Sequence, residues 1–390
     1  MSNKKTTRIK FLYFGKEKEK TMKKSTPFRF DYVGSFLRPE SLKKARADYE
    51  AGIITREQLT EVEDREITAL VEKQKQAGYS VITDGEFRRA TWHLDFMWGF
   101  DGVEHKKTEN GIRFHGEQAL IDDTYLVGKI SVGHHPFVDH FKFVKALEDE
   151  HTVAKQTIPA PAQFLQQMIL PFNIETTRKY YKTNEELIQD IAKGYRKVIK
   201  DLYEAGCRNI QLDDCTWGAC VAKENIGRYG EGVDIKEIME QLLRVNNLAI
   251  EGKPDDLVIN THVCRVNYHS TFFSSGAYDS VAEFLFTREN VDAYYLEYDD
   301  ERSGGFEPLQ LVPEHKKVVL GLITTKSPKL EDKEKIIARI HEATKYIPLE
   351  RLYLSPQCGF ASCEIGNKLT EEEQWAKLAL VKEIAEEVWG

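Results

Sequence analysis

The sequence predicts a single-domain (β/α)8 TIM-type barrel over residues 28–390 with an extended N-terminus, and three observations predict it. Nine short apolar runs alternate with helical stretches, in the order a parallel barrel requires. Several of these runs end on His, Cys, Asp or Glu, at the strand end where barrel folds carry their chemistry. No internal repeat or linker divides the 390 residues. Eight staves close such a barrel. The surplus run is assigned to residues 32–35, read as an entry segment and not a stave.

Composition narrows the function classes. A hydrophobic fraction of 41% with 30% charged residues is ordinary for a soluble globular protein. The formal charge is −8, yet residues 1–25 hold nine Lys/Arg against two Glu, which leaves −15 on the remainder. An acidic body argues against nucleic acid as the main partner. No apolar run approaches a membrane span, so no membrane partner is expected. Residues 1–27 read as a disordered basic extension, because IKFLYF is too short for a signal-peptide core and no small-residue cleavage site follows. Met22 stands as an alternative initiator. Six Cys without a dense framework fit a reducing, cytoplasmic setting in which thiols stay free for metal.

Taken in order, the chain first gives an extended run that breaks at Gly34-Ser35, then a helix opening around Pro39. The Gly-Ser pair offers backbone N–H groups and a hydroxyl that suit a carboxylate, and a plain turn is the alternative. TREQLTEVEDREITALVEKQKQAG reads as a helix on Leu59, Val62, Ile67, Leu70 and Val71, closed by Gly78. The strand YSVITDGEF ends in Asp84 and Glu86, with Gly85 between them permitting close backbone approach.

Residues 88–123 form a long excursion at the barrel mouth. Trp92, His93, Phe96 and Trp98 either wall a flat ligand there or pack beneath the loop. The strand VGKISV leads to His134, His135 and His140; adjacent residues on a strand face opposite ways, so this cluster is not expected to share an ion. VAKQTIPAP is the next strand, left through Pro159 and Pro161. A helix over residues 184–205 follows.

NIQLDDCTW has the character of a buried parallel strand broken by two acids. Asp213 and Asp214 alternate sides, so one meets ligand while the scaffold holds the other. A helix over residues 235–252 precedes LVINTHVC, and AYYLEYDD, KKVVLGLITTKSP and RLYLSPQCG supply the last three strands. Between the last two lies a helix over residues 333–346. The chain closes with a helix over residues 370–388, opened by Thr370 and Glu373 at capping-box spacing.

His262 and Cys264 stand two apart on one strand and therefore on one face, half of a tetrahedral zinc site. Glu297 and Cys358, at the ends of two later strands, are suitable partners. Each signal alone is weak.

Together they resemble the zinc site of the cobalamin-independent methionine synthase family: His-x-Cys on one strand, Glu on the next, and Cys in a Pro-x-Cys-Gly turn near the chain end. VGSF at residues 33–36, DGE at 84–86 and QLDD at 211–214 resemble that family's substrate-binding segments in the same order, and the likeness runs from about residue 30 to the C-terminus. The resemblance implies Zn2+ held by His262, Cys264, Glu297 and Cys358. It implies homocysteine, with its carboxylate near Gly34 and Ser35 and its ammonium between Glu86 and Asp213. The implied reaction is methyl transfer to the homocysteine thiol from a methylated folate, 5-methyltetrahydrofolate. Cys207, Cys215, Cys220 and Cys363 are expected to lie outside the metal shell.

Three departures touch the methyl-donor half. The chain has about half the family's usual length and no duplicate barrel. PAPAQFLQQMILPFN stands where the family has Asn-Trp-Ser. Thr324 and Lys326 stand where the family has an Asp and a catalytic His, so Lys326 is the candidate catalytic group, either as an acid of depressed pKa or as a fixed cation. A non-folate donor, such as a methyl-corrinoid or a small methyl compound, and a non-catalytic zinc- or thiol-binding barrel are the alternatives.

Overall fold

The structure, a computed structural model, describes residues 25–108, 111–222, 228–230 and 232–390. The expected basic extension therefore lies outside the described residues except for its last three. Of those, Thr26 is buried and donates its backbone N–H to Asn209 Oδ1 at 2.9 Å, so the fold already includes it.

Six strands pair in parallel, in an order that follows the chain: Gln156–Pro159, Asn209–Asp213, Val258–Val263, Ala293–Glu297, Lys317–Ile323 and Leu352–Pro356. Just upstream of the first of these, Val153–Ala154 pairs in parallel with Val81–Ile82. The remaining gap is filled by the N-terminal extended segment. Phe30 bridges to Leu354, and Asp31 N donates to Leu354 O at 3.0 Å. On its other side Thr83 Oγ1 donates to Gly34 O at 2.8 Å, and Phe36 N donates to Gly85 O at 3.1 Å. The ring is thereby closed.

One strand expectation is corrected. The run outside the ring is not residues 32–35 but VGKISV, which lies in Asp123–Ser131 and pairs antiparallel with Asp101–Lys106. Burial explains the difference. Asp123–Ser131 alternates between buried and solvent-facing residues, as an antiparallel ribbon with one wet face does, whereas Asn209–Asp213 and Ala293–Glu297 are buried throughout.

Helices cover the outside of the ring. Arg56–Gln76 begins with a capping box, Thr55 Oγ1 accepting from Gln58 N at 3.3 Å and Gln58 Oε1 accepting from Thr55 N at 2.8 Å. Glu371–Trp389 begins the same way at Thr370 and Glu373. Asn184–Glu204 buries Leu187, Ile188, Ile191, Val198 and Leu202 at helical spacing. Pro161–Ile169 takes Pro161 at its first turn, where a missing N–H costs nothing. Among the described residues no helix is long and apolar enough to cross a membrane.

Candidate active site and metal centre

The residues assigned from the sequence to the metal and the substrate, and Lys326, sit at the C-terminal side of the ring. His262 lies near the end of Val258–Val263, and Asp213 pairs with it in register as the last residue of Asn209–Asp213. Glu297 ends its strand, while Cys358 and Lys326 lie just past theirs.

The ligand atoms of His262, Cys264 and Cys358 lie within 4.8 Å of one another, and all three residues are buried. The ring nitrogens of His262 have no hydrogen-bond partner. A buried imidazole left unpaired beside two thiols is the arrangement a zinc ion would complete, so these donors fit the metal. The Cys264 thiol is held well below its ordinary pKa by the sulfurs of Cys215 and Cys358 and by His262. The reciprocal contact with Cys264, together with burial, pushes Cys358 and Cys215 up.

Glu297 lies outside this three-way group. Its Oε2 accepts from Arg265 N at 2.7 Å, and its Oε1 accepts from Arg302 Nη2 at 3.1 Å. Lys326 Nζ stands 3.5 Å from the same Oε1 and donates to Asp299 Oδ2 at 2.6 Å. Burial alone would lower the Lys326 pKa, but Glu297 and Asp299 outweigh it and raise it. This environment favours the charged ammonium. The groups its ammonium contacts are the carboxylates of Asp299 and Glu297, beside the His262–Cys264–Cys358 cluster.

Cys215, expected to lie outside the metal shell, stands against the sulfurs of the cluster. Its Sγ lies 3.2 Å from Cys264 Sγ, and the sulfurs of Cys215, Cys264 and Cys358 form one buried cluster against Trp92 and Val266. The sequence did contain the signal. Asp213-x-Cys215 repeats the spacing of His262-x-Cys264 on the neighbouring strand, and Asp213 and His262 are in register.

The polar side of the site is built on the first strands. Glu86 adopts a left-handed backbone, φ 62°, which a non-glycine residue seldom does without a functional reason. Its Oε1 accepts from Thr157 Oγ1 at 2.9 Å and lies 3.3 Å from Arg89 Nη1, and its Oε2 has no partner. Burial and the nearby Glu86 carboxylate push Asp213 up to about 7, and Gln211 Nε2 donates to its Oδ1 at 2.8 Å. Asp214 is the acid held by the scaffold, accepting from Thr216 N at 2.9 Å and Asn246 Nδ2 at 2.8 Å. Gly34 and Ser35 stand at the same mouth. A Cβ on Gly359 would lie 1.9 Å from Ser35 Oγ, so Ser35 rests directly against the residue after Cys358.

A cavity of ≈ 940 Å³ opens beside the sulfur cluster. Trp92 and His93 line it, together with Gln163, Gln166 and Gln167 from the helix that follows Pro159. Phe96 packs in the core, and Trp98 stacks on His105 and donates to Thr124 Oγ1 at 3.0 Å. Two histidines of the 134–140 cluster are engaged locally. His135 caps Pro136–Lys145, and His134 Nε2 sits 2.5 Å from Asp139 Oδ2.

Comparison with known proteins places the chain in a family. Residues 30–387 match the family model described as the catalytic domain of cobalamin-independent synthases. A Bacillus subtilis protein, YxjG, described as uncharacterized, is 44% identical over 376 residues, covering 96% of this chain and 98% of its own. The methionine synthase of Saccharolobus solfataricus is 26% identical, covering 84% of this chain and 86% of its own. Among solved structures, a putative vitamin-B12 independent methionine synthase from Listeria monocytogenes superposes with a TM-score of 0.74 at 38% identity, covering 94% of this chain and 99% of that one. A B12-independent methionine synthase from Shewanella sp. W3-18-1, solved with selenomethionine, shares the fold at a TM-score of 0.69 and 21% identity, covering 92% of this chain and 97% of its own. The chain belongs to the cobalamin-independent synthase family, as a form of its catalytic domain.

Proposed function

We propose that this protein transfers a methyl group to the thiol of homocysteine, giving methionine, with a zinc ion at His262, Cys264 and Cys358. The observation that carries this reading is the convergence of those three donors beside Glu86 and Asp213, in a chain of this family. Bound zinc would turn the substrate thiol into a thiolate nucleophile at neutral pH. The protein's own residues do the rest. Glu86, through its unpartnered Oε2, and Asp213 receive the substrate ammonium, and two carboxylates around one ammonium form charge-assisted hydrogen bonds. Gly34 and Ser35 receive its carboxylate. Lys326 and Arg302 hold Glu297 and Asp299 in place beside the cluster.

The methyl donor proposed is a methylated folate, placed in the ≈ 940 Å³ cavity. The amide-rich wall from Gln163 to Gln167 keeps a second donor class in view, a methyl-corrinoid or a small methyl compound. The test measures zinc per chain and then methionine formation from homocysteine with each donor. Zinc at one per chain with methionine formed from methylated folate supports the proposal, and methionine from only another donor reassigns the cavity. A zinc-bearing protein that forms methionine from none of them would leave a thiol-binding barrel.

A further inference from the structure

We propose that Thr157 is the positioning residue that sets the spacing between the two grips on the amino acid, the carboxylate of Glu86 and the Gly34-Ser35 turn. It thereby restricts the site to thiols that carry both an α-ammonium and an α-carboxylate. The inference rests on the homocysteine reading above and adds to it a residue that acts through its neighbours.

Thr157 is buried on the strand Gln156–Pro159, and both branches of its side chain are engaged. Its hydroxyl donates to Glu86 Oε1 at 2.9 Å and accepts from Arg89 Nη2 at 2.9 Å. A hydroxyl has one proton to give, so here the carboxylate receives it and the guanidinium meets the lone pairs. The methyl branch presses on the other grip. A Cβ on Gly34 would lie 2.6 Å from Thr157 Cγ2, so only a residue without a side chain fits there. One short side chain thus bridges Glu86 and Gly34.

The hydroxyl matters because Arg89 stands so close. Arg89 is buried, its Nη1 lies 3.3 Å from Glu86 Oε1, and its Nη2 also donates to Thr157 O at 2.6 Å. A guanidinium facing a carboxylate readily pairs with both oxygens. That pairing would take Glu86 Oε2, the buried oxygen that has no partner and is left for the substrate ammonium. Thr157 prevents it by engaging Nη2 and Oε1 together. The backbone on either side is already fixed. Arg38 donates from Nη2 to Glu86 O at 2.8 Å and from Nη1 to Phe36 O at 3.1 Å, and Thr83 Oγ1 donates to Gly34 O at 2.8 Å. What is left to set is the direction of the Glu86 carboxylate relative to Gly34, and Thr157 sets it. An α-amino acid carries its ammonium and carboxylate on one carbon, at one separation. A site built to pair with both rejects a thiol that lacks either, because its own buried polar groups are then left unpaired.

The test measures binding by calorimetry on the zinc-loaded, full-length protein for three thiols: homocysteine, the same molecule without its amino group, and the same molecule without its carboxylate. Thr157→Val keeps the methyl contact and removes the hydroxyl. Dissociation constants of the two amines are expected to rise about tenfold or more, the scale of a lost hydrogen bond to a charged group, while that of the amine-free acid stays unchanged. Thr157→Ser keeps the hydroxyl and removes the methyl. It should restore binding of the carboxylate-free amine to the wild-type level and weaken only the two thiols that carry a carboxylate. A merely structural role would weaken all three ligands in both variants as the thermal midpoint falls. That outcome, or wild-type discrimination in Thr157→Val, overturns the role of Thr157 and leaves the homocysteine reading standing. If Thr157→Val fails to fold, Thr157→Ser decides: selective weakening of the carboxylate-bearing thiols supports the proposal, and uniform or absent weakening overturns it. Wild type that binds the three thiols alike overturns the homocysteine reading and this inference with it.

Discussion

Lys326 Nζ donates to Asp299 Oδ2 at 2.6 Å, inside a group of buried charges that also includes Glu297 and Arg302. The carboxylates raise the ammonium's pKa against the pull of burial, so its proton is harder to release than that of a free lysine. Arg keeps the charge and cannot release a proton. Lys326→Arg is therefore expected to retain most methionine-forming turnover. Lys326→Met leaves buried carboxylates short of a cation, and breaking such a pair costs about 3–5 kcal/mol. Turnover and thermal midpoint should both fall in Met. An Arg variant as inactive as Met but fully stable would mean that the proton of Lys326 matters.

Gly218 makes a sharper steric prediction. Its missing Cβ leaves room for Cys264 O, which would otherwise stand 1.9 Å away. Gly218→Ala must push the Cys215–Cys220 helix and the Cys264 strand end apart, at about 1–3 kcal/mol for an overpacked site. The variant is expected to melt earlier and to lose metal faster to a chelator than wild type. An unchanged thermal midpoint would show that the contact relaxes freely.

How far the sequence alone reached follows from the same geometry. His262, Cys264 and Cys358 were legible because strand parity and strand ends place side chains without knowledge of packing. Cys215 obeys the same parity but needed the register of Asn209–Asp213 against Val258–Val263, which is a long-range property. Lys326 and Glu297 were readable as charged residues at strand ends. What they hold was not, because Arg265 and Arg302 reach Glu297 from a loop and a short helical turn that no periodicity announces. The barrel was legible as a count of runs. The strand outside it was misassigned because VGKISV is as apolar as a stave, and only its alternating exposure gives it away.

Buried acids behind the site predict a pH dependence of stability. Burial and the nearby Asp214 push Glu289 up to about 8, against the opposing hydrogen bond from Asn246 Nδ2 at 2.7 Å. The folded state thus prefers the neutral acid, while the unfolded chain releases its proton near the ordinary carboxylate range, about 4.3. Its contribution to stability is complete below that range and is lost as pH rises through about 8. Thermal midpoints of wild type should fall more steeply from pH 5 to pH 8 than those of Glu289→Gln, which does not titrate. Parallel curves would show that Glu289 is ionised in the fold at both ends.

The amino-acid half of the site is tested most directly at Glu86. Thr157 Oγ1 and Arg89 Nη1 occupy its Oε1, at 2.9 and 3.3 Å, and leave Oε2 buried without a partner. An acceptor in that state is costly unless a ligand donor fills it, and the strained left-handed backbone of Glu86 aims it there. Glu86→Gln keeps the shape and removes the charge. Homocysteine binding, measured by calorimetry on the zinc-loaded protein, should weaken by about 2–3 kcal/mol, the scale of a hydrogen bond to a charged group. Zinc content should not change, because Glu86 lies outside the group formed by His262, Cys264 and Cys358. A thiol lacking the amino group should bind wild type and Glu86→Gln alike, since it brings no ammonium for the carboxylate to hold. Equal weakening for both ligands would move Glu86 from the ammonium site into the scaffold that shapes the pocket.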